Sequence, residues 1–139
     1  MSKPKVFLTR RILAKGLSLV EDFCAAEIWQ NELPPSHEEI LARVRGMDGL
    51  LCLLTDRIDT EVMDAAGPSL RVISSCSVGV DNVDLAAATA RGIPVGNTPG
   101  VLTDATADLA FALLLAAARR VVEGDRFVKK AAGKPGDWI

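Results

Sequence analysis

Residues 5–9, Lys-Val-Phe-Leu-Thr, form a short apolar burst, and residues 11–23 then place Leu13, Leu17, Val20 and Phe23 at helical spacing. The pattern predicts a strand followed by a helix. A second brief strand is expected at residues 26–29. Ser36-His-Glu-Glu39 then fits a capping box, whose hydroxyl and carboxylate satisfy free amides ahead of Ile40, Val44 and Met47. The uninterrupted apolar run of residues 49–54 reads as a strand covered on both faces, and Asp59 opens a third helix as its cap. Residues 70–75 give a fourth strand. Asp84 caps a helix through Ala90, Gly92 closes it where a left-handed residue is wanted, and residues 93–95 form the next short strand. Strands that alternate with helices across short linkers predict a doubly wound α/β domain with a mainly parallel sheet, whose ligands sit at the carboxyl edge.

After Asn97-Thr-Pro-Gly100 the pattern changes. Thr103 or Asp104 can cap a long helix that runs through Leu109-Ala-Phe-Ala-Leu-Leu-Leu-Ala-Ala-Ala118 into a charged stretch from Arg119 to Lys130. Its first half is apolar on nearly every face, so it is expected to be buried between layers rather than laid on a surface. A first domain over residues 1–102 leaves little to bury it, which assigns residues 103–139 to a following domain or an interface. The tail from Gly133 to Ile139 reads as a loop.

Composition narrows the function classes. The chain has 139 residues, 49% of them hydrophobic, with 16 basic and 18 acidic side chains and a formal charge of −2. That balance suits a globular protein and builds no face to neutralise a phosphate backbone or an anionic bilayer, so neither nucleic acid nor membrane is an expected partner. The longest apolar run, residues 109–118, is far short of the roughly 18–20 residues a bilayer span needs, and a cytoplasmic location is expected. Cys24, Cys52 and Cys76 are odd in number and lack C-x-x-C spacing, as expected of reduced structural thiols, and no metal site is expected.

The segment Ser74-Ser-Cys-Ser-Val-Gly-Val-Asp-Asn-Val-Asp84 leaves the carboxyl end of a buried strand and turns at Gly79. Two readings stand. It is a tight strand-to-helix turn with Asp81 and Asp84 as caps, or its outward amides form a site for a small carboxylate. His37, the single histidine, lies inside the capping box and reads as a solvated helix-start residue, and Arg119 and Arg120 read as serving the helix or an interface.

Ser77-Val-Gly-Val-Asp-Asn-Val-Asp84, Ala88-Thr-Ala-Arg-Gly-Ile93, Asn97-Thr-Pro99 and residues 101–115 resemble, in order, signatures of the D-2-hydroxyacid dehydrogenases. Residues 5–10 and 49–54 resemble the glyoxylate/hydroxypyruvate reductase branch in particular. The resemblance implies a flavodoxin-like substrate-binding domain, with a Rossmann domain inserted after it that carries NAD or NADP. It also implies a small 2-keto or 2-hydroxy acid as substrate and a homodimer.

By the same resemblance the amides of Val78 and Gly79 would hold the substrate carboxylate, and Leu53 and Leu54 would wall a small pocket. Thr106 would touch the cofactor near its nicotinamide end, although a first-turn helix threonine also bonds its own backbone. Trp138 would correspond to a tryptophan that reaches a neighbouring subunit's pocket. The family's G-x-G-x-x-G, its proton-donating His with a carboxylate partner and its substrate Arg are expected in a later part of the protein. No Gly-x-Gly occurs in this sequence, so the chain taken alone is expected to be catalytically silent.

Two other classes compete. A binding or regulatory module on dehydrogenase architecture would have to expose the apolar helix. A phosphoacceptor receiver needs acidic residues at the ends of the first and third strands to hold Mg2+. The first strand ends in Thr9-Arg-Arg11, which is basic, and Asp56 alone does not restore the cluster.

Overall fold

Central strand β1 (Lys5–Leu8) buries Phe7 and Leu8 completely, on opposite faces, as strand alternation requires of a sheet covered on both sides. The computed structural model describes residues 2–131. After β1 follow α1 (Ala14–Phe23), β2 (Ala25–Ile28), α2 (His37–Arg43), β3 (Gly49–Cys52), α3 (Thr60–Ala66), β4 (Val72–Ser75), α4 (Leu85–Ala90) and β5 (Val95–Gly96). All four strand pairings are parallel and the order is β2-β1-β3-β4-β5, the doubly wound flavodoxin-like arrangement. Two further helices, α5 (Thr103–Ala118) and α6 (Val121–Ala131), complete the elements. The chain divides into two units, Met1–Gly100 and Val101–Ile139.

One continuous core joins Phe7, Leu50 and Ile73 of the sheet to Ile40 and Val44 at α2, Val62 and Met63 on α3, and Ala88 on α4. Its helices start where local chemistry dictates. Ser36 accepts from the Glu39 amide while Glu39 reaches back to the Ser36 amide, and Asp59 and Asp84 accept from the amides of Val62 and Ala87. Each such cap contributes about 1 kcal/mol. Gly92, at φ 66°, closes α4 in the left-handed region.

Several expectations are corrected. In α1 only Leu17 of the four expected apolar positions is buried and Val20 is half-buried; Leu13 precedes the helix at 88% exposure, Phe23 ends it at 72%, and Ile12 and Gly16 are half-buried in their place. Strands β3 and β4 are shorter than their apolar runs, so Leu53, Leu54 and Leu70 lie outside the ladders. Neither Thr103 nor Asp104 caps α5: Leu102 holds the cap position without a side-chain bond, Thr103 is the first helical residue, and Asp104 lies in the first turn, where its charge complements the helix dipole.

The expected single long helix is two. Arg120 takes φ 50°, its amide bonding Ala117 O while its carbonyl receives the Gly124 amide, so one helix stops and another starts. No residue of α5 is buried among the described residues, and Leu109, Phe111, Leu113, Leu114 and Leu115 are all at least 60% exposed. Trp138 and the tail from Gly133 lie outside the described residues.

Candidate functional site

The carboxyl ends of β1, β3, β4 and β5 bring together Thr9, the 53–56 loop, the 76–82 loop and Asn97. The switch point of this strand order falls between β1 and β3, where a doubly wound sheet opens a crevice for ligands.

Asp56 organises that crevice. It is 2% exposed, and its Oδ2 accepts from Thr9 Oγ1 at 2.5 Å and from the Leu53 amide at 2.8 Å. The Thr55 hydroxyl donates to Oδ1 at 3.2 Å, and an Arg10 nitrogen lies 4.0 Å from the same oxygen. A carboxyl group with so little water is tolerable only with such donors. The result is a fixed loop on which Leu53 is half-buried and Leu54 is 68% exposed.

The 76–82 loop is held by its carbonyl groups. Ser77 O accepts from the Thr98 amide at 2.9 Å, Val78 O from Asn97 Nδ2 at 2.7 Å, and Gly79 O from Ser77 Oγ at 2.6 Å. Ser77 is itself buried, its hydroxyl 2.6 Å from that of Ser75. In a trans peptide the C=O and the following N–H point in opposite directions, and no peptide here is cis. Anchoring the carbonyls of Ser77 and Val78 on the β5 side therefore turns the amides of Val78 and Gly79 away from it. Among the described residues, neither amide donates a hydrogen bond.

Gly79 is not required by the turn. Its φ lies outside the left-handed region, and a Cβ built there meets only Asp81 Oδ2, at 3.5 Å, an ordinary contact. What the missing side chain leaves is an uncovered amide. Asp84 caps α4, and Asp81 takes no part in the cap.

Thr106 lies in the first turn of α5, exposed; its amide bonds Leu102 O and its hydroxyl makes no hydrogen bond among the described residues, so it does not spend itself on its own backbone. His37, partly exposed at the start of α2, is also engaged: its Nε2 lies 3.2 Å from Asp59 Oδ1, tying the start of α2 to that of α3. His37, Asp59 and Glu61 bring their ligand atoms within 4.8 Å of one another, but the Arg57 guanidinium already stands 2.9 Å from Asp59 Oδ2. The sequence reading missed Asp56, Asn82 and Asn97 as organisers of these loops.

A cavity of about 450 Å3 is lined by Met63, Pro68, Leu70, Arg91 and Ile93 and sits toward the amino ends of β4 and β5. It shares no residue with the loops above, and volume alone does not outweigh free amides at the carboxyl edge. Burial, with the charge of Asp56 adding to it, pushes the Cys52 thiol up to about 11, against hydrogen bonds with Ser75 and Asn82. No helix among the described residues is long and apolar enough to cross a membrane.

Residues 6–132 match the family described as D-isomer specific 2-hydroxyacid dehydrogenase, catalytic domain. A glyoxylate reductase of Korarchaeum cryptofilum is 54% identical over 132 residues, covering 95% of this chain and 40% of the relative. A solved structure of a Thermus thermophilus protein superposes with a TM-score of 0.81 at 47% identity, over 97% of this chain and 44% of that one. An NADPH-dependent glyoxylate/hydroxypyruvate reductase of Sinorhizobium meliloti, solved with NADP and malonate, gives 0.72 at 29% identity, over 93% of this chain and 39% of its own. The chain thus spans about two fifths of the curated relative's length. By the extent of these matches, the chain belongs to the D-isomer specific 2-hydroxyacid dehydrogenase family.

Proposed function

We propose that this chain is the substrate-gripping part of an enzyme that reduces glyoxylate or hydroxypyruvate to the corresponding hydroxy acid with a nicotinamide nucleotide. The observation that carries the reading is the pair of unspent amides at Val78 and Gly79, held outward by the anchored carbonyls of their own peptides. Two N–H groups at a loop edge suit a carboxylate, whose oxygens accept and never donate. Leu53 and Leu54, on the loop fixed by Asp56, would wall the space beside it and favour a short acid.

The hydride would come from NADH or NADPH, held mainly by a Rossmann domain that residues 103–139, with the interdomain helix, begin; in this chain Thr106 would be the contact near the nicotinamide. The domain division of residues 1–102 and 103–139, a homodimer and a cytoplasmic location belong to the same proposal. The malonate in the Sinorhizobium meliloti relative supports a small carboxylate as ligand, and its NADP supports a nicotinamide nucleotide as reductant.

The test is steady-state oxidation of NADH and NADPH by the full-length gene product with glyoxylate, hydroxypyruvate and pyruvate in turn. Turnover of either of the first two acids, weakened in KM by Gly79→Val, supports the reading. Oxidation of neither nucleotide with any of the three acids overturns it.

A further inference from the structure

Asn82 joins the two loops that carry the proposed substrate contacts. Its side-chain amide donates to Leu53 O at 3.0 Å and to Asp56 O at 2.9 Å. The backbone continues the splice: the Ile58 amide donates to Asn82 O at 2.8 Å, and the Asp84 amide to Ile58 O at 2.9 Å, with Ile58 and Val83 paired as a parallel bridge. From the other side, the Asp56 carboxyl holds the Leu53 amide at 2.8 Å and Thr9 Oγ1 at 2.5 Å. Leu53 is therefore gripped at its N–H by Asp56 and at its C=O by Asn82. Only a primary amide suits the position, because a carboxylate of the same shape would set acceptor against two acceptors.

We infer that Asn82 is a positioning residue for carboxylate recognition. It fixes the Leu53–Leu54 wall against the Val78–Gly79 amides without touching the substrate. The inference rests on the function proposed above. A relative shift of two binding walls loosens the bound geometry while leaving each wall intact, and such a loss falls on substrate binding. A second, more exposed link joins the same segments, Thr60 Oγ1 to Asp84 Oδ2 at 3.4 Å, and it reaches neither Leu53 nor the 76–80 backbone. It separates general stitching of the loops from the specific grip on Leu53.

The experiment compares Asn82→Ala, Asn82→Asp and Thr60→Ala in the full-length protein, measuring kcat, KM for the keto acid, KM for the nucleotide and thermal unfolding. Asn82→Ala is expected to raise KM for the keto acid about tenfold while kcat and KM for the nucleotide stay within about twofold, the signature of lost uniform binding. Asn82→Asp should be worse and Thr60→Ala indistinguishable from wild type. Should Asn82→Ala fail to fold, Asn82→Ser, which keeps one donor, should show an intermediate KM. The inference is overturned if the Asn82 variants unfold at lower temperature with KM unchanged, or if kcat and both KM values move together. A wild-type protein that reduces no keto acid removes the proposed function and this inference with it, whereas an active wild type with an unmoved Asn82→Ala KM removes this inference alone.

Discussion

Asn97 Nδ2 donates to Val78 O at 2.7 Å across 19 residues of chain, and that bond aims the Gly79 amide, because the two groups sit at opposite ends of one peptide. Val78 and Asn97 are both exposed, so the bond competes with water and adds little to folding. Its consequence is orientation. Asn97→Ala should raise KM for the keto acid about threefold to tenfold while the unfolding midpoint in urea moves little, and Asn97→Asp should do more, since it sets a carboxylate acceptor against the Val78 carbonyl. Equal KM values for wild type and Asn97→Ala would show that the peptide keeps its orientation unaided.

Gly79→Ala separates the two readings of its loop. A Cβ at this position meets only Asp81 Oδ2 at 3.5 Å on ordinary backbone, so stability should change by less than about 0.5 kcal/mol. If the amide receives a carboxylate, the added methyl crowds the ligand, and KM should rise with no loss of stability. A turn that needed glycine for folding would give the reverse.

The features legible in the sequence were those decided by neighbours in the chain. Ser36, Asp59 and Asp84 cap helices through amides three residues on, and Gly92 supplies its left-handed turn, so their chemistry is local. The parallel, doubly wound character of the sheet followed from alternation and short linkers. Strand ends did not: the apolar run through Leu54 continues after the ladder stops at Cys52, because hydrophobicity does not report where a partner strand runs out. The break at Arg119–Arg120 has neither Gly nor Pro to announce it. Asp56, Asn82 and Asn97 work through loops brought together across 19 to 47 residues. The available signal was an acidic residue just past a buried apolar run, a position where a charge needs partners.

Thr9→Val keeps the shape of the side chain and removes the hydroxyl that donates to Asp56 at 2.5 Å. Both residues are buried, so the carboxyl loses a donor that water cannot readily replace, and the cost should be about 1–3 kcal/mol in urea unfolding. Pairing Thr9→Val with Asp56→Asn should cost less than the sum of the two, since the second change removes part of the demand.

Cys52 and Cys76 should differ in reactivity although they lie on adjacent strands' ends. With its thiol pushed up to about 11 by burial and Asp56, Cys52 is about one-thousandth thiolate at pH 8 and has no access to reagent, while Cys76 is exposed. A disulfide reagent added to the native protein should modify Cys76 and spare Cys52 until urea opens the domain, and Cys76→Ser should abolish that reaction at the candidate site. Modification of Cys52 at the rate of an exposed thiol would contradict its burial.

Asp59 ties stability to acid. Burial raises its carboxyl, but the Val62 amide, the His37 hydrogen bond and the charges of His37 and Arg57 outweigh it and hold the group below 3.8. A folded value depressed below the unfolded one means that its contribution is present above about pH 4 and is lost as pH falls through the folded value. Asp59→Asn keeps an accepting oxygen for the cap and removes the titration, so it should cost little cap energy yet flatten the acid limb of the stability profile. Asp59→Ala should instead cost about 1 kcal/mol, the worth of the cap, at neutral pH as well. Thermal unfolding of the three proteins from pH 3 to 7 decides the matter: parallel profiles for wild type and Asp59→Asn would mean that the charge at α3 contributes nothing.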